Sequence, residues 1–281
     1  MKIVSLFSVV RGYNIIMVCI AQYLAAIFVL SHNPWHTILQ DLSLLMLVTA
    51  GALAIAGGYI INSFYDKDKD LINKPTKTMI DHLVSQNTKI TLYFLLNILS
   101  VIVASYVSFR AVIFFSAYIF SMWLYSHRIK KILLWGNITS AILSIIPFFA
   151  VFVYYRNFQK VIFVHAILIF LLILIKQLVK DLQNIKGDLT HNYATIPVVH
   201  GETTAKKLIS IGVFTCYLPI TLLIYHFKIG NLKYFLLFLI FYLLFFLLML
   251  WKSTSQKQYI HLHTLLKIIL VAGVFSVILT R

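Results

Sequence analysis

The chain is 281 residues long, 61% hydrophobic and only 11% charged, with a formal net charge of +16. A soluble domain of this size carries about a quarter charged residues, so this composition cannot build a water-facing surface. The excess of bases does not mark a partner of nucleic acid, because the lysines and arginines are spread between apolar spans instead of sharing one soluble face.

From the N-terminus, Arg11 interrupts the first apolar run, and the block after it is long enough to stay as a span, which argues against a cleaved signal peptide. Apolar blocks near the ~20 residues needed to cross a bilayer lie at 13–31, 42–62, 88–108, 111–126, 133–155, 160–178, 208–228, 232–250 and 262–280. The fourth is short. The eighth, within Tyr234–Trp251, has no polar face at all and suits an apolar surrounding on every side. Two connections are long and polar, 63–87 and 179–207; most others are short. Cys19 and Cys216 fall inside spans at no metal or redox spacing and read as packing residues. The expected fold is all-α: a polytopic membrane protein forming a single domain over 1–281, with about nine transmembrane helices around a central cavity.

Nine spans put the two termini on opposite sides. With the N-terminus inside, only Arg110, Arg156, Lys160, Lys228, Lys233 and Arg281 of the 24 basic residues fall outside, and the other 18 fall inside. Cytoplasmic loops carry the basic excess. The N-terminus is therefore expected to be cytoplasmic, with both long polar loops and the basic connection His127–Lys131 on the same side, in the cell inner membrane.

The chain has only eight acidic residues, and seven of them fall in the two long loops. Asp66, Asp68, Asp70 and Asp81 are in the first, Asp181, Asp188 and Glu202 in the second, and Asp41 stands alone. Carboxylates brought together repel unless something positive lies between them. If the first segment is helical, Asn62, Asp66 and Asp70 are four apart and share a face, from which Asp68 points away. In the second, Asp181, Asn184 and Asp188 are spaced by three and four, again on one face. Two faces of hard oxygen ligands suit Mg²⁺, which is commonly held by one or two carboxylates together with substrate phosphates and water. The bland alternative is a pair of solvated loops in which Lys67, Lys69 and Lys186 neutralise the acids. It applies best to Asp68 and Asp81. A weak similarity between the two segments, each running from Asn and Asp to a proline (Pro75 or Pro197), hints at two related halves facing one site.

The run Asn62-Ser-Phe-Tyr-Asp66-Lys-Asp-Lys-Asp70-Leu-Ile-Asn-Lys-Pro75 resembles the first aspartate-rich motif of the UbiA prenyltransferase superfamily. The run Lys180-Asp181-Leu-Gln-Asn184-Ile-Lys-Gly-Asp188, followed by Ala194-Thr-Ile-Pro197 and Gly201, resembles the second. Tyr125-Ser-His-Arg128-Ile-Lys130 with Gly136-Asn137 is similar to the basic connection between them, and Arg11 with Asn14 to the family's opening Arg-Pro-x-Asn, with Gly12 in place of proline. Ser63 and Asn184 stand where many members have aspartate. The Ile72-Asn-Lys-Pro run is closer to the homogentisate and glyceryl-phosphate branches than to the haem branch.

The resemblance implies Mg²⁺-dependent transfer of a prenyl group from a polyprenyl diphosphate to a hydrophobic or amphipathic acceptor in the bilayer, either an aromatic quinone precursor or a prenylglyceryl phosphate. Asp66, Asp70, Asp181 and Asp188 would be catalytic and hold the metal. Asn62 and Asn184 would add neutral oxygens; Arg128, Lys130 and Lys180 would contact phosphate; Tyr65 and Tyr125 would line the substrate, with Arg11 and Asn14 also at the site. Lys131, Lys206 and Lys207 read as ordinary positive-inside charges. His82 and His191, near the two loops, read as solvated or capping residues, with help in deprotonating an acceptor as the functional alternative. A transporter of the inverted-repeat type would place its charges mid-span, whereas these lie at span ends. A membrane protein that has lost catalysis is the remaining class, kept open by Ser63 and Asn184.

Overall fold

The computed structural model describes residues 2–31, 33–81 and 83–280; His82 and Arg281 lie outside them. No strand occurs among the described residues, and nine helices there are long and apolar enough to cross a membrane. The chain is thus an all-α, multi-pass integral membrane protein.

The internal contacts gather into two compact units. The first begins with α1 (Lys2–Val9) and α2 (Gly12–Ala25); a π-helical turn, Ala26–Leu30, prolongs α2 and passes into the second unit from Phe28. It continues through α3 (Trp35–Leu39), α4 (Leu42–Tyr65), α5 (Lys67–Asn73), α6 (Pro75–Asp81), α7 (Gln86–Ser105) and α8 (Phe109–His127). The second contains α10 (Lys160–Thr190), α11 (Ile196–His226), α12 (Leu232–Lys252) and α13 (Gln256–Ser276). Helix α9 (Trp135–Tyr155) gives its first half to the second unit and the rest to the first.

Within the first unit, α4 packs against α2, α7 and α8. The face that allows this is made of small residues, among them Ala50, Ala54 and Gly57, all buried. A Cβ at Gly57 would come within 2.6 Å of the Asn97 carboxamide oxygen on α7, so only glycine fits without that side chain moving. Membrane helices lack a hydrophobic drive between them and associate through close packing and interhelical hydrogen bonds. Ser100 on α7 supplies one such bond, donating to the Ala50 carbonyl at 2.8 Å. Asp41, the acid that stands apart in the sequence, is the N-cap of α4: it accepts from the N–H groups of Ser43 and Leu44 at 3.0 and 3.1 Å and from the Tyr154 hydroxyl at 2.7 Å. In the second unit, α10 packs against α11 and α13, and Ser255 and Gln258 form a capping box that starts α13.

Most span boundaries agree with the apolar blocks to within a few residues. The segments expected as long polar loops do not stay loops. Helix α10 runs to Thr190 and α11 starts at Ile196, so 179–207 is helical except at 191–195 and at a kink at Gly201. In the first segment α6 ends at Asp81 and α7 starts at Gln86, with earlier joints at Asp66 and Lys74. Hydropathy reports where the bilayer ends, and polar residues that keep helical geometry do not end a helix. The real breaks are local: Lys74 (φ −146°, ψ 62°) precedes Pro75, whose ring excludes the α region for the residue before it, and Asn192 adopts positive φ.

Candidate active site

The first acidic motif is built by the end of α4 and by α5. Although the helix is jointed at Asp66, the backbone ladder continues across the joint. The Asp66 N–H bonds the Asn62 carbonyl at 3.0 Å, the Asp70 N–H bonds the Asp66 carbonyl at 2.8 Å, and Lys74 bonds Asp70 in the same way. Asn62, Asp66 and Asp70 are therefore successive i, i+4 neighbours, as their spacing predicts. Asp66 is only 6% exposed, and Asp70 is partly exposed, whereas Asp68 is exposed. Asp81 is buried and accepts from the Ser8 hydroxyl at 2.8 Å, which makes it a structural anchor between α6 and α1.

Two lysines reach Asp66. The Lys130 ammonium, buried just beyond α8, lies 2.8 Å from its Oδ1, and Lys69 lies 3.6 Å away. Lys74 is 3.9 Å from Asp70. The ion pairs of the bland reading are thus partly present, but by Lys130 and Lys74 as well as Lys69. Tyr65 is adjacent: its ring lies under the Lys130 ammonium at 5.6 Å, and its hydroxyl is 3.1 Å from Nδ1 of His127, which stacks on Trp123. Arg128 is exposed at the C-terminal cap of α8, and Tyr125 is partly buried one turn earlier. Away from these, Arg11 places its guanidinium 5.0 Å from the Tyr59 ring centre, and Asn14 donates to the Tyr59 hydroxyl at 3.5 Å.

The second motif lies on the last turns of α10. Asp181 accepts from the Asn137 carboxamide at 2.7 Å. Asn184 and Asp188 are each 2% exposed. The Asn184 Oδ1 is buried and has no hydrogen-bond partner. Lys180 is partly buried and Lys186 exposed. The helix end is tied down where the Tyr193 N–H donates to the Asp188 carbonyl at 2.9 Å and the Ala194 N–H to the Lys131 carbonyl at 3.1 Å. The Lys131 ammonium covers the Tyr193 ring at 5.5 Å.

These donors fit Mg²⁺ in a particular way. Among the described residues, no three Asp, Glu, His or Cys side chains gather closely enough to hold a metal by themselves. Each motif instead offers two carboxylates, the number that Mg²⁺ takes when phosphate and water complete its octahedron. A buried amide oxygen without a donor costs about 1–3 kcal/mol unless something binds it, and Asn184 is placed to give that oxygen to a bound ion, water or phosphate-linked group.

The sequence profile of the UbiA prenyltransferase family matches residues 17–270. The chain belongs to the UbiA prenyltransferase family. Among its curated relatives, the digeranylgeranylglyceryl phosphate synthase of Methanobrevibacter smithii is 28% identical over 239 residues, covering 81% of this chain and 80% of that one. The enzyme of the same name from Saccharolobus solfataricus is 26% identical over 286 residues, covering 99% and 97%. Solved structures share the fold. A UbiA homologue from Archaeoglobus fulgidus bound to GPP and Mg²⁺ superposes with a TM-score of 0.68 at 14% identity, covering 98% of this chain and 99% of that one. The apo UbiA homologue from Aeropyrum pernix K1 gives 0.73 at 14% identity, covering 94% and 97%. Membership puts the chain among prenyltransferases and sets aside the transporter reading.

Several contacts around the two motifs are not visible in the linear sequence. Asn137 meets Asp181 across 44 residues, and Lys130 meets Asp66 across 64. Lys206, expected as an ordinary surface charge, is buried, donates to the Ser253 carbonyl at 2.6 Å and lies 5.7 Å from the Tyr259 ring centre. Tyr259 in turn donates to Glu202 at 2.7 Å. Gly201, just before Glu202, has φ 84° and ψ 163°, a region open essentially to glycine alone, and a Cβ there would meet nothing within 4 Å. Gly201→Ala is therefore expected to cost about 1–3 kcal/mol from backbone strain alone, measured as a lower unfolding temperature in detergent.

Proposed function

We propose that this enzyme transfers a prenyl chain from a polyprenyl diphosphate to a glyceryl phosphate that already carries one prenyl chain. The reading is carried by the shared name of the relatives described above, each a digeranylgeranylglyceryl phosphate synthase. The Ile72-Asn73-Lys74-Pro75 run is compatible with it.

In this reaction the bond between the allylic carbon and the diphosphate oxygen breaks, and the diphosphate leaves with the electron pair. The acceptor hydroxyl oxygen bonds that carbon and loses its proton. Asp66 and Asp70 on one motif, and Asp181 and Asp188 on the other, would hold Mg²⁺ against phosphate oxygens, with Asn62 and Asn184 giving neutral oxygen. When bound, Mg²⁺ neutralises the leaving diphosphate as a Lewis acid. Arg128, Lys130 and Lys180 would place fixed positive charge on phosphate, and Tyr65 and Tyr125 would face the developing allylic cation. Arg11 and Asn14 enter by family resemblance. The N-terminus and both motifs are assigned to the cytoplasmic side of the cell inner membrane on the basic-residue asymmetry.

The test is prenyl transfer by the purified protein in detergent, with geranylgeranyl and longer diphosphates and a panel of aromatic and prenylglyceryl phosphate acceptors. A product with the glyceryl phosphate acceptor, lost on adding EDTA and restored by Mg²⁺, is the expected result. Transfer only to aromatic acceptors would overturn the acceptor assignment. Transfer that persists in EDTA would overturn the metal assignment.

A further inference from the structure

Helix α6 is amphipathic the wrong way round for a water-covered segment. Two of its polar side chains face inward: Thr78 and Asp81 are buried, and Asp81 is held by Ser8. Ser5 of α1, itself fully buried, donates to the Ile80 carbonyl at 2.6 Å. Its apolar side chains face outward. Met79 and Ile80 are exposed, Met79 at 69%, and so is Leu83 just beyond the helix end. On α5, Leu71 and Ile72 are exposed while Asn73 is buried. A surface element in water shows the opposite pattern, and a contiguous exposed apolar patch marks a binding surface.

We infer that α5 and α6 lie in the headgroup–acyl boundary of the bilayer, with Met79, Ile80 and Leu83 inserted into lipid. The chain itself indicates this occupant. The arm is only residues 66–85, tied at one end to the membrane helix α4 and at the other to α7. The outer face of α7 is itself apolar and exposed at Ile90, Phe94 and Ile98, again at i, i+4 spacing, where a membrane helix meets lipid. The first acidic motif thereby sits at the depth of lipid phosphates and not out in the aqueous phase.

The inference depends on the membrane fold and not on the identity of the acceptor, so the two can fail separately. Its test places an environment-sensitive NBD probe at Met79→Cys or Leu83→Cys in a Cys19→Ser background, with Thr254→Cys, exposed in the polar connection between α12 and α13, as the water-exposed reference. Buried Cys216 is retained, and the parent is checked for lack of labelling. The proteins are reconstituted in nanodiscs of phosphatidylcholine and phosphatidylglycerol. Quenching by lipid carrying a doxyl group at acyl carbon 5 is expected to exceed that of the Thr254→Cys probe by roughly threefold or more at both sites, with weak iodide quenching. Iodide quenching equal to the reference would overturn the inference in favour of water. Protection from both quenchers would overturn it in favour of a protein partner or a second copy of the chain. Using two probe sites keeps the outcome readable if one variant fails to fold.

Discussion

Asp188→Asn is expected to lower the rate of prenyl transfer by about 10²–10³-fold, the loss seen when one preorganised electrostatic contact to a leaving group is removed. Asparagine keeps the volume and one oxygen and removes only the charge. The side chain is 2% exposed near the end of a continuous helix, so a change in shape would be felt in packing, and the isosteric swap avoids it. Stability should therefore change little while turnover collapses. Calorimetric titration of diphosphate with and without Mg²⁺ separates the possible causes: the mutant should lose the Mg²⁺-dependent part of binding. Wild-type turnover in Asp188→Asn would show that this carboxylate only supports the helix end, and would leave the second motif without a charged ligand at its most buried position.

Lys130→Met is expected to damage both stability and function, and the two effects can be pulled apart. The ammonium and the Asp66 carboxylate meet at 2.8 Å with side-chain exposures of 4% and 8%. Removing one partner of such a pair costs about 3–5 kcal/mol, because the other is left charged and desolvated. Lys69, 3.6 Å from the same oxygen, should hold the loss to the lower end of that range. Asp66→Asn in the Lys130→Met background removes the stranded charge and should restore most of the lost stability, a coupling that a double-mutant cycle measures directly. Transfer should remain absent in the double variant, since both the metal ligand and the phosphate contact are gone. If unfolding temperatures of the single variant and wild type coincide, the pair is solvated in the membrane-embedded protein and contributes little.

The spans and the two acidic motifs are legible because each is a local property. A bilayer demands about 20 apolar residues in a row, and a helical face demands a spacing of three or four. The backbone ladder through Asn62, Asp66 and Asp70 is what that spacing predicts. Three kinds of feature escape. Helix ends beyond the bilayer escape because residues 179–190 are polar yet remain helical. Contacts between distant positions, such as Lys130 with Asp66, escape because no pattern in either neighbourhood encodes the other. The role of a lone polar residue escapes as well: Asp41 reads as an isolated acid and is a helix cap. The inverted polarity of α6 was open to a reading by period, but a segment classed as polar loop hides which of its faces is buried.

The two motifs also differ in how they are carried. The second sits on α10, whose 31 residues form one unbroken rod, about 46 Å long at 1.5 Å per residue. The first runs from the end of α4 into α5, a helix of seven residues bounded by the joints at Asp66 and Lys74, well below the length at which an isolated helix persists. Short jointed pieces open at low free energy, whereas a long packed helix opens only with its whole neighbourhood. The first motif is thus expected to loosen at lower free energy than the second, which faster amide hydrogen exchange across 66–74 than across 179–190 would show.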